Sequence, residues 1–223
     1  MTKKNMNSII DSLFATYPEP KCALDFEDPL QLLVSSRLSA QCTDARVNIV
    51  TKDLFKKYKT VDDYADADIK ELSKMIYSCG FYNSKAKDII AAAKMLREMD
   101  KFPDNIDDML KIPGVGRKIA NLMMGELYGD PSVVIADTHC IRLSNRLGFV
   151  NSKNATIVER ELRKQLPKDT GFRFSHSLVL HGRAVCKAAK PNCENCCVAD
   201  YCKEYSELIK LKKQSKTIKN LHN

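Results

Sequence analysis

Four cysteines near the end of the chain set the tightest constraint on what it can fold into. Cys186, Cys193, Cys196 and Cys202 stand in HGRAVCKAAKPNCENCCVADYC with the spacing C-x6-C-x2-C-x5-C. Four thiolates within seventeen residues can close around one metal centre, so this stretch reads as a small module organised by a cofactor. Zinc and iron–sulfur clusters both select soft thiolates, and ligand identity alone leaves a zinc knuckle and a cluster equally open. A disulfide framework is the weaker alternative. Nothing at the N-terminus reads as a secretory signal, so a reducing compartment is expected. Cys197 directly follows a ligand and reads as a spare thiol or a packing residue. Cys22, Cys42, Cys79 and Cys140 are scattered and read as small core residues.

Upstream, the pattern is helical almost throughout. Asp28 and Pro29 open one helix as cap and first residue. Residues 43–58 place Val47, Val50, Leu54, Phe55 and Tyr58 on one stripe. Gly80 is expected to stop a helix, the next is expected to open after Asn83, and Pro103 is expected to close it. Two further segments centre on IVERELRKQL and FSHSLVLHG, and the polar, basic LKKQSKTIKNLHN is expected to fray. No stretch alternates convincingly as a strand, and no apolar run is long enough to span a bilayer. A hydrophobic content of 44% over 223 residues supports a real core. Lys and Arg outnumber Asp and Glu by 36 to 28, and that net charge of +8 favours a polyanionic partner, though weakly, because charge also serves solubility.

LKIPGVGRKIANL is the second constraint. Pro113 and Gly114 turn the chain, and Gly116 lets the next helix begin tightly. The exposed N–H groups at that helix start make an anion site fit for a backbone phosphate. Arg117 and Lys118 follow in the first turn, where two cations oppose the helix dipole. The same field is expected to lower the pKa of Lys118, and a partly neutral amine is a nucleophile that forms Schiff bases. In IADTHCIRLSNRLG, Asp137 is a plausible N-cap, and its carboxylate would pull the lysine pKa the other way. His139 could meet a phosphate, although a lone helical histidine is more often structural.

These strings together resemble the endonuclease III type of DNA glycosylase: the cysteine spacing, the L-x-I-P-G-V-G-R-K-x-A hairpin, IADTH, RLSAQCTD and GFYNSKA, in one collinear order over about residues 8–205. The resemblance implies an all-α, two-lobed helix-hairpin-helix fold with a C-terminal [4Fe–4S] cluster on the four cysteines. One lobe would be a helical barrel of residues 22–132, the other residues 1–21 plus 133–223. It implies a bifunctional glycosylase and abasic-site lyase acting on oxidised pyrimidines in base excision repair, with Lys118 as nucleophile and Asp137 facing it across a cleft. Gln41 would enter the stack vacated by a flipped base, and Phe81, where leucine is common in the family, would be a second wedge. Gly114 and Gly116 would hold phosphate, and Arg183, Lys187 and Lys190 would grip it near the cluster. The expected partner is double-stranded DNA carrying damaged bases or abasic sites, met by a monomer in a bacterial-type cytoplasm, with no membrane. The alternatives are a monofunctional adenine mismatch glycosylase, which lacks the hairpin lysine, and a non-enzymatic DNA-binding module with structural zinc, which needs neither Lys118 nor Asp137.

Overall fold

The computed structural model describes residues 2–221, leaving aside the side chains of 212, 213 and 215–221. It is all-helical, with no strand among the described residues. By its internal contacts the chain divides into two compact units, one of residues 22–130 and one of residues 1–21 with 131–223.

The continuous unit holds seven helices: α2 (Pro29–Leu38), α3 (Asp44–Lys57), α4 (Val61–Ala65), α5 (Ile69–Met75), α6 (Tyr82–Arg97), α7 (Ile106–Met109) and α8 (Arg117–Tyr128). Asp28 caps α2, its side chain accepting from the Gln31 N–H at 2.8 Å, which satisfies one of the donors every helix start leaves open. Thr60 and Asp63 form a reciprocal capping box on α4, a short helix absent from the sequence reading. Both α4 and α5 pack on α6, and α2 packs on α8. Leu32, Leu38, Val47, Leu54, Leu72, Ile76, Met109 and Ile112 are buried in this unit.

Two boundaries differ from expectation. Helix α6 starts at Tyr82 because Phe81, in the left-handed region, takes the N-cap position without a side-chain cap. It ends at Arg97, well before Pro103. Helix α7 stops at Met109, and a turn carries Leu110 to Ile112.

The other unit is built from both ends of the chain. Helix α1 (Lys3–Thr16) packs on α11 (Gly171–Ala184), and α9 (Thr138–Leu147) packs on α10 (Ala155–Gln165) and α11. Met6, Ile9, Ile10 and Leu13 of α1 join Cys140, Leu143, Val158, Leu162, Phe174 and Leu178 in one core. Cys186, Cys196 and Cys202 pack against that core from the loop beyond α11. The basic tail, expected to fray, continues as α12 (Lys203–Leu221), while His222 and Asn223 lie outside the described residues. No helix among the described residues is long and apolar enough to cross a membrane.

Candidate active site

In the 22–130 unit the hairpin turn is held by close packing. Gly114 has φ +78°, and a Cβ there would lie 2.8 Å from Asp88 Cβ and 2.9 Å from Arg37 Cδ. Arg37 and Asp88 are themselves paired, Nε donating to Oδ2 at 2.8 Å, so the backbone of Gly114 presses on a fixed ion pair. Only glycine meets both demands, the left-handed φ and the absent side chain. Gly114→Ala is therefore expected to cost about 1–3 kcal/mol of stability, read by thermal melting. Gly116 differs from expectation: its φ is −99°, and a Cβ there would meet nothing within 4 Å. It is the N-cap of α8, and no side chain caps that helix start. An uncapped N-terminus leaves amide donors for an anion.

Lys118 lies in the first turn of α8 with its side chain exposed, and it enters no hydrogen bond or ion pair among the described residues. Nearby, burial pushes the Cys22 thiol up to about 11, with the Asp44 and Glu126 carboxylates adding to the shift and Lys118 opposing it. Burial also raises Glu126, whose carboxylate accepts the Cys22 N–H. Gln41 and Phe81 are both exposed, Phe81 at 64%, with φ of 54° and 46°. Phe81 is thus no core residue. The rings of Tyr77 and Tyr82, on either side of it in sequence, are tilted at 48° with centroids 4.8 Å apart.

In the other unit Asp137 is the N-cap of α9, Oδ1 accepting from the Cys140 N–H at 2.7 Å. Its second oxygen has no partner among the described residues. His176, which sequence reasoning passed over, lies close enough for the Asp137 charge to raise its pKa, but burial outweighs this and lowers it to about 4. Its ring packs edge-on against Phe172 at 4.6 Å. The imidazole within reach of the Asp137 charge is therefore neutral at pH 7. His139 Nδ1 lies 3.2 Å from Arg142 Nη2, and a Cβ on Gly182 would fall 2.5 Å from His139 Nδ1.

The four cysteines do gather. Cys186, Cys193, Cys196 and Cys202 line a single pocket with Leu143, Val185 and Leu208, and the exposed Cys197 is not part of it. Side chains of Arg146 and His181 reach two of their sulfurs. Arg146 Nη1 is 3.4 Å from Cys186 Sγ and also donates to the Lys187 carbonyl at 2.9 Å. His181 Nε2 is 3.3 Å from Cys196 Sγ, while its Nδ1 is 3.2 Å from the Tyr17 hydroxyl. A hydroxyl donating to Nδ1 leaves the proton on Nε2, pointing at sulfur. Such outer partners orient ligand atoms, and the sequence signal was a histidine five residues before the first ligand. Arg183, Lys187 and Lys190 are exposed around this loop. Cys79 and Cys140 are core thiols as expected, whereas Cys22 and Cys42 are only half-buried.

The family profile described as HhH-GPD superfamily base excision DNA repair protein matches residues 34–168. The endonuclease III of Synechocystis sp. is 41% identical over 202 residues, covering 90% of this chain and 92% of that one. The chain belongs to the endonuclease III family. The Escherichia coli K12 member is 36% identical over 211 residues, 94% of this chain and 99% of its own. Among solved structures, a trapped endonuclease III–DNA covalent intermediate in an estranged-adenine complex superposes with a TM-score of 0.88. It shares 37% identity and covers 94% of this chain and 99% of that one. The all-helical fold expected for the family is the one observed.

Proposed function

We propose that the chain is a bifunctional DNA glycosylase and abasic-site lyase of base excision repair, acting on duplex DNA that carries oxidised pyrimidines. The observation that carries this reading is the exposed, unpartnered amine of Lys118 on an uncapped helix start, directly after the Gly114 turn. Amide donors hold a phosphate of the backbone, and the amine attacks C1′ of the damaged nucleotide. The glycosidic bond breaks and the base leaves with its electron pair and a proton. The sugar ring opens to a Schiff base, loss of a C2′ proton expels the 3′ phosphate, and water releases the enzyme. The Asp137 carboxylate stabilises the cationic sugar as it forms. Borohydride reduction tests this directly: it should fix the protein covalently to lesion-bearing and abasic duplexes. A protein that binds both but is never fixed is a binding module instead.

Asp137→Asn separates the charge from the cap. Asparagine caps a helix about as well as aspartate, so melting should be unchanged. Base excision should slow by about two orders of magnitude or more, within the range of acid–base and electrostatic groups. Cleavage at a preformed abasic site should fall less, because no glycosidic bond remains there. An equal loss on both substrates with a lowered melting point would reduce Asp137 to its capping role.

We assign the pocket of Cys186, Cys193, Cys196 and Cys202 to a [4Fe–4S] cluster. All four cysteines line it, and soft thiolates are the ligands that such a cluster selects. The N–H groups of His181 and Arg146 suit anionic sulfur. When bound, the cluster would cross-link the loop that carries Lys187 and Lys190, beyond Arg183 in the last turn of α11. These residues, with Gln41 and Phe81, are assigned to the DNA surface.

A further inference from the structure

One buried cation ties the segments of Gln41 and Phe81 together. Lys85, in the first turn of α6, is 1% exposed. Its ammonium donates to the carbonyl of Leu38 at 2.7 Å and to that of Cys79 at 2.8 Å. Leu38 is the last residue of α2, and Cys79 ends the 3-10 turn Tyr77–Cys79. Both acceptors are thus carbonyls at helix ends, which lack an intrahelical donor and attract positive charge. Gln41 stands three residues beyond one acceptor, and Phe81 two residues beyond the other.

The backbone supplies an independent sign. Gln41 and Phe81 are the non-glycine residues of this unit with positive φ among those described, at 54° and 46°. L-residues avoid that region, and they stay there only where the surroundings impose it. Desolvating an ammonium is also unfavourable, and burial pushes the Lys85 pKa down. An apolar side chain would fill the space without that penalty, but it would leave both carbonyls unpaired and the two turns unlinked.

We propose that Lys85 is a positioning residue that holds the Gln41 and Phe81 turns as one preorganised two-pronged wedge for a duplex with an extruded nucleotide. The proposal rests on the reading of the chain as a base-flipping glycosylase. Lys85 itself does not touch DNA. Its link means that the ordering of both turns is met during folding, so binding energy is left to offset the cost of unstacking the base.

The test uses the cluster-loaded, full-length protein and its Lys85→Met variant. Single-turnover excision of a paired oxidised pyrimidine should fall by about tenfold or more, the scale expected when reacting groups lose their positioning. Cleavage at an abasic site, which has no base to extrude, should stay within about threefold. A 2-aminopurine placed beside the lesion should lose its fluorescence rise. Gln41→Ala should then cost less in the Lys85→Met background than in wild type, because coupled residues are not additive. If both substrates fall together, in step with melting, and the cycle is additive, Lys85 only supports the fold. Wild type gives a second reading that needs no variant: deuterium uptake at residues 39–43 and 79–83 should be slow in the free protein, and fast uptake there overturns the proposal. Failure of wild type on every lesion duplex would instead reject the glycosylase reading itself.

Discussion

Lys118→Gln should abolish base release and strand cleavage together, each by about three orders of magnitude or more, since a single nucleophile serves both steps. Binding to the same duplex should survive, because the proposed phosphate donors, the backbone amides at the start of α8 and at Gly114, are not removed by the substitution. Folding should survive as well. Lys118 is exposed, and glutamine has nearly the helix propensity of lysine, so the melting temperature should match wild type. This combination separates a lost nucleophile from a damaged hairpin, which Gly114→Ala would produce. Borohydride should fix wild type to abasic DNA and leave the variant free. If the variant is fixed as efficiently, another amine carries the chemistry.

Loss of one proposed cluster ligand should have the next largest effect. Cys196→Ser replaces a soft thiolate with a hydroxyl that iron and sulfide bind poorly. In the absence of metal, burial pushes the Cys196 thiol up to about 11 and raises Cys202 as well, so these groups have no reason to ionise without a cation to neutralise them. Metal-binding energy in such a loop is folding energy. The purified wild type should be brown and contain iron. The variant should be colourless, and the helices of residues 1–21 and 131–223 should melt first. Limited proteolysis should then leave a fragment close to residues 22–130. A wild-type preparation that is zinc-loaded, colourless and fully active would overturn the cluster assignment.

Local chemistry was legible where it depends on neighbours in sequence. The Asp28 and Asp137 caps, the positive φ of Gly80 and Gly114 and the stripe through Val47 and Leu54 all follow from residue type and helical period. Lys118 stood out as a candidate nucleophile only because its hairpin string is distinctive. What escaped were the tertiary partners. Asn83 looked like a helix cap, as asparagine often is, but the left-handed Phe81 starts α6 earlier. Gly116 looked sterically required, yet space around it is open. Lys85 reads as an ordinary polar residue of an amphipathic helix, since one of its acceptors lies 47 residues away in sequence. His181 gains its meaning from Tyr17 and Cys196, on two other segments. No period or propensity encodes such contacts.

The division of the chain also fixes the order in which it can assemble on a ribosome. Residues 22–130 form their unit without a break, so that unit can close while the remainder is still being made. Helix α1 emerges first but finds its core partners, Val158, Leu162, Phe174 and Leu178, only after residues 131–223 follow. At about 5–20 residues per second, Ile9, Ile10 and Leu13 wait roughly 5 to 20 seconds for cover after the first unit is complete. The cysteine loop follows those partners, with only α12 after it. On the proposed assignment of a cluster to that loop, metal loading falls at the same late stage as the covering of α1, so chains made in iron-poor cells should expose α1 to chaperones and proteases before inactive protein accumulates.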